Sequence, residues 1–124
     1  MKFAKYLFYI AGIFGILVIT PLFFIFDRIG QDDPPPITHP LFFYGFAGVA
    51  LAWQFVFLAI GWNPVRFRPL MLVGILEKLG FFLPALILYS RHRVHASDLL
   101  LSCGDALLAV LFLMAYFRTP SSSN

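Results

Sequence analysis

Glu77 and Lys78 stand side by side inside an apolar stretch, Leu70 to Ser90, that is as long as a bilayer span. A charged side chain in hydrocarbon costs at least about 3 kcal/mol, so such a residue faces a protein interior or a wet cavity, where it pairs or does chemistry. At 3.6 residues per turn, Glu77 shares its helix face with Gly74, Gly80, Phe81 and Pro84, and Lys78 shares its own with Met71, Ile75, Phe82 and Ala85. Small residues let helices approach closely. The Glu77 face is therefore expected to look inward and the Lys78 face outward, the lysine stem snorkelling toward the nearer headgroups. Pro84 leaves the carbonyl of Gly80 without a donor and is expected to bend the helix above Glu77.

Three further stripes add polar groups to a common interior. Gln54 lies in line with Ala47, Ala50 and Gly61; Asp98, Ser102, Asp105 and Ala109 follow one another at helical spacing; Tyr9, Gly12, Ile16 and Thr20 do the same near the N-terminus. Counting from the ends of the apolar stretches at about 1.5 Å per residue puts Gln54 and Glu77 at one depth, about 10 Å below one surface, and Asp105 about 10 Å below the other. Gln54 is expected to hydrogen-bond to Glu77, and Asp105 to serine or water. Glu77, Gln54, Asp105 and Ser102 are thus the candidate ligand-binding residues, with no catalytic residue and no metal ligand among them.

The elements that must position these groups are helices. Hydrophobic residues make up 60% of the chain and charged ones 12%, a composition that excludes an ordinary soluble domain. Four apolar stretches emerge, at about 6–26, 41–61, 70–90 and 98–117. The first follows Lys2 and Lys5 and is longer than a signal-peptide core, with no small-residue cleavage site behind it, so it is expected to remain as a span. Asp27 to Pro40, with Pro34, Pro35 and Pro36 in its middle, is expected to be a stiff surface loop. Trp62 to Pro69 and Arg91 to Ser97 are short connections, and Thr119 to Asn124 a polar, unstructured tail. Short connections force antiparallel neighbours, so the fold is expected to be all-α, a single-domain antiparallel four-helix transmembrane bundle. Lys2, Lys5, Arg66, Arg68 and Arg118 fall on the side of both termini, against Arg28, Arg91 and Arg93 opposite, which places the termini in the cytoplasm. The acidic 27–40 segment and the basic 91–97 turn then share the outer face, where they are able to pair.

Cys103 is the sole cysteine and no Cys or His cluster has ligand spacing, so no disulfide, metal or cofactor is expected. The net charge of +3 comes from residues flanking the spans and suits headgroups rather than nucleic acid. Two stretches, ITHPLFFYGFAGVALAWQ (Ile37 to Gln54) and RFRPLMLVGILEKLGFFLPALILY (Arg66 to Tyr89), resemble small uncharacterised bacterial integral membrane proteins broadly similar to the DoxX-like four-helix proteins. The resemblance implies the four-helix architecture and a bacterial inner-membrane setting. Some DoxX-like proteins are associated with membrane redox enzymes or quinones; this chain departs from that association in carrying no cofactor motif.

Three functions fit the residues. The first is a non-catalytic membrane protein whose interior binds a lipid-like molecule or docks a partner helix, with Glu77 and Gln54 as the polar anchor. The second is a homo-oligomeric, proton-coupled small transporter, since small exporters also have four spans and an embedded carboxylate, although in their first helix rather than the third. The third is an intramembrane enzyme with Glu77 and Asp105 as acid and base on an apolar substrate. It ranks last because the counted depths separate the two carboxyls by about 10 Å along the bundle axis.

Overall fold

A backbone that crosses hydrocarbon must satisfy its own N–H and C=O groups, and a helix does so within one segment. The computed structural model of the chain, which describes residues 2–32 and 37–120, is all-helical over those residues. Helix α1 (Lys2–Ile19) continues into a 3-10 turn (Thr20–Phe23), and a short α2 (Phe26–Asp32) follows. Helices α3 (Pro40–Trp62), α4 (Arg68–Ser90) and α5 (Ala96–Arg118) complete the chain. Each of the last three has 23 residues, about 35 Å at the helical rise, enough for a hydrocarbon core of about 30 Å. By the length and composition of α1 with its 3-10 turn, α3, α4 and α5, the chain is a small multi-pass membrane protein.

Local sequence sets the ends. Pro40 and Pro69 occupy the first turns of α3 and α4, where a missing N–H costs nothing. Pro21 cannot donate to the carbonyl of Leu17, and the α-helical part of the first span stops at Ile19, short of the expected Phe26. Helix α4 runs through Pro84 without interruption. Asp98 closes the start of α5 by accepting from the backbone N–H of His95 at 3.3 Å.

Two sequence expectations need correction. The 27–40 segment is not all loop, because α2 forms over Phe26–Asp32. The Phe26 ring packs on Phe43 and Tyr44 at 5.1 and 5.5 Å, so aromatic docking holds a helix whose polar composition gave no sign of it. Asp32 pairs at 3.5 Å with Arg28 of its own helix; Asp33 and the three prolines after it lie outside the described residues. Nor is Thr119 part of a solvated tail: it is buried, and its hydroxyl donates to the Ala115 carbonyl at 2.7 Å. Residues 121–124 lie outside the description.

The helices pack in the cyclic order α1, α3, α4, α5. The α1–α3 and α4–α5 pairs are the most extensive, α1–α5 closes the ring, and α3–α4 touch only sparsely. The half nearer the termini is filled by Phe8, Phe57, Ile60, Met71 and Phe112, all fully buried. Phe8 stacks on Phe112 at 4.3 Å, and Phe57 meets Phe112 edge-on at 5.1 Å. Gly12 lets α1 approach α3: a Cβ there would stand 2.8 Å from the backbone carbonyl of Gln54, which cannot move aside. Gly12→Ala is expected to cost about 1–3 kcal/mol as an overpacked contact. Gly104→Ala, with open space around its Cβ position, is expected to be neutral or stabilising by about 0.5–1 kcal/mol, because alanine is the better helix former. Thermal unfolding of both variants in one detergent checks this; equal losses would mean that close approach at Gly12 is not what the glycine provides.

Candidate functional site

Helix α4 is turned the other way from the sequence expectation. Met71, Gly74, Lys78 and Ala85 are its buried residues, while Gly80, Phe81 and Pro84 are exposed. Gly80 marks an open side of the helix, while Gly74 and Ala85 lie with the lysine on the packed side. The reason is charge. Lys78 Nζ lies 3.6 Å from Glu77 Oε2 and 3.6 Å from Asp105 Oδ1, with its side chain 7% exposed. It also stands 5.1 Å from the centre of the Phe57 ring, a cation–π contact. Two carboxylates inside the spans attract a counter-charge, and the ammonium turns inward between them. Lys78 is the residue that sequence reasoning misplaced, and charge balance within the spans was the signal that pointed to it.

The same lysine sets how close the two carboxyl groups come. Its two contacts place Glu77 Oε2 and Asp105 Oδ1 no more than twice 3.6 Å apart. Counted from the turn that α4 and α5 share, rather than from opposite membrane surfaces, the two residues differ by only about 6 Å in axial position. The acid and base of an enzyme would have to face a common substrate, however, and here both face Lys78. At 3.6 Å neither leg is a seated hydrogen bond; charge-assisted bonds close to about 2.7–2.9 Å.

The other two candidates point elsewhere. Gln54 is 1% exposed and its Nε2 donates to the Ala50 carbonyl at 2.8 Å in its own helix. Its side-chain amide rests in the notch left by Gly15 of α1, where a Cβ would overlap it, and its Oε1 has no hydrogen-bond partner. Gln54 therefore belongs to the α1–α3 contact and makes no bond to Glu77. Ser102 is buried and donates to the Leu99 carbonyl at 2.7 Å, so its hydroxyl is engaged within α5. Of the four candidates, Glu77 and Asp105 come together, through Lys78; Gln54 and Ser102 do not join them.

Where α3 and α4 part, a cleft of about 590 Å³ opens. Gly45, Phe46 and Trp53 of α3 and Gly80 and Phe81 of α4 help to form its walls, and Glu77 is the ionisable residue among those lining it. Phe46 and Phe81 stack at 5.8 Å across the cleft. Glycines at 45 and 80 have nothing within 4 Å of a Cβ position, which leaves the space clear. Glu77 thus stands between two environments: Oε2 is buried against Lys78, while the side chain as a whole remains 19% exposed and borders the cleft. The space is an open, mostly apolar groove between the two helices with Glu77 at its border. No family model matches this chain, and no curated protein or solved structure matches it either.

Proposed function

We propose that this is a non-catalytic membrane protein that binds a lipid-like molecule in the α3–α4 cleft, with Glu77 as the polar anchor. The observation that carries this reading is the cleft itself: about 590 Å³ of largely apolar lining bordered by a single ionisable side chain. Its volume falls within the range of about 300–1,000 Å³ usual for ligand pockets. Lys78 lies 3.6 Å from the Glu77 carboxylate and is shared with Asp105.

Native mass spectrometry of protein released from nanodiscs tests the reading. Wild type is expected to carry a discrete lipophile. Gly80→Phe is expected to lose it, because the new ring enters the cleft from a position with open space around it. A wild type that emerges bare, or a Gly80→Phe variant that retains the same lipophile, would count against the cleft as the binding place.

A homo-oligomeric proton-coupled transporter is the second reading, and one observation favours it. Two carboxylates share one ammonium inside the spans, and one of them borders an open cleft; membrane-embedded acids of that kind mark proton and ion pathways. In either case we place the chain in the bacterial inner membrane, among DoxX-like proteins, with both termini cytoplasmic. Lys2, Lys5, Arg66, Arg68 and Arg118 support that orientation through the positive-inside rule, and the Ile37–Gln54 and Arg66–Tyr89 stretches support the kinship.

A further inference from the structure

Away from the helix ends, the charged residues of the four spans are Glu77, Lys78 and Asp105. With all three ionised the group is one positive charge short of neutral. In a medium of low dielectric an uncompensated charge is costly, and it is relieved either by a proton on one of the two carboxyls or by a second cation at Glu77. Lys78 does not obstruct its approach. The lysine is buried on the Phe57 side of α4, it divides its charge between two acids at 3.6 Å each, and it is not among the residues that line the cleft.

The walls fit a cation as well. Phe46, Trp53 and Phe81 border the cleft with Glu77, and aromatic faces attract an onium ion through the ring quadrupole. The α3 wall contributes no charged side chain that would oppose it. Resting on the cleft as the binding place, we infer that its ligand is a lipophilic cation, an amphiphile whose amine or quaternary onium group sits against Glu77 while its apolar part lies along the aromatic wall. An anionic amphiphile of the same shape is disfavoured by the same charge count.

Tetraphenylphosphonium and tetraphenylborate, alike in shape and opposite in charge, separate charge class from mere lipophilicity. The chain has two tryptophans; Trp62→Phe removes the exposed one and leaves Trp53 in the cleft wall as the reporter. In a zwitterionic detergent, phosphonium is expected to change Trp53 fluorescence saturably at a concentration at least about ten-fold below that needed for borate. Glu77→Gln in the same background is expected to abolish the preference by weakening phosphonium alone. Equal affinity for the two ions, or a preference that survives Glu77→Gln, would overturn the cation assignment and leave the cleft as a general lipophile site. No saturable response to either ion would overturn both the assignment and the cleft. The wild-type comparison decides the charge class by itself if Glu77→Gln does not fold.

Discussion

Lys78→Met is expected to be the most damaging single substitution within the spans, costing about 3–5 kcal/mol of stability, the usual penalty for removing one partner of a buried ionic group. The methionine fits the volume and keeps the contact with Phe57, so packing is little disturbed. What is lost is the ammonium that sits 3.6 Å from both Glu77 and Asp105, and two carboxylates then face each other with no counter-charge. The triple variant Glu77→Gln, Lys78→Met, Asp105→Asn removes the conflict and is expected to regain most of the loss, because a neutral replacement of a buried ionic group is often as stable as the original. Reversible unfolding in mixed micelles measures all three proteins. If Lys78 reached out to the headgroups, Lys78→Met would cost less than about 1 kcal/mol, in the manner of an exposed charge, and the triple variant would be no better than the single one.

The architecture was legible because hydropathy and helix breakers act locally. Helices α3, α4 and α5 begin and end within two residues of the apolar runs that announced them, and Ala47, Ala50, Gln54 and Gly61 do form a buried stripe. Rotation of α4 was not legible in the same way. Small residues allow a close approach but do not compel one: Gly74 is filled by a neighbouring ring, with Phe57 3.1 Å from its Cβ position, while Gly80 on the same reading faces an opening. Which of the two occurs depends on where the acids of another helix need a cation, a non-local fact carried by Asp105 on α5. Axial depth depends on non-local facts too. Counting Glu77 and Asp105 from opposite surfaces ignored the turn that ties α4 to α5 and fixes their relative height. Helix α2 escaped notice because its stability comes from Phe43 and Tyr44 on α3, residues its own sequence does not contain.

Phe57→Ala is expected to cost about 2–3 kcal/mol, and to do so through the ionic group as well as through packing. Phe57 is fully buried and its ring meets Phe112 at 5.1 Å, Phe8 at 6.0 Å and Trp53 at 6.1 Å. In water, such a truncation loses transfer energy as well as leaving a cavity; in a bilayer the transfer part is small, since lipid is as apolar as the core, and the cavity part remains. That lowers the expected cost below the about 3–5 kcal/mol typical of soluble proteins. The ring also faces Lys78 Nζ at 5.1 Å, so removing it withdraws a cation–π contact of about 0.5–2 kcal/mol from the ammonium. A double-mutant cycle of Phe57→Ala with Lys78→Met is therefore expected to be non-additive by about 0.5–2 kcal/mol. Phe55→Ala, on the same helix but 56% exposed, is expected to stay within about 0.5 kcal/mol of wild type. Strict additivity in the cycle would show that the aromatic core and the charged group are independent, and that Lys78 is held between its two carboxylates without help from the ring beneath it.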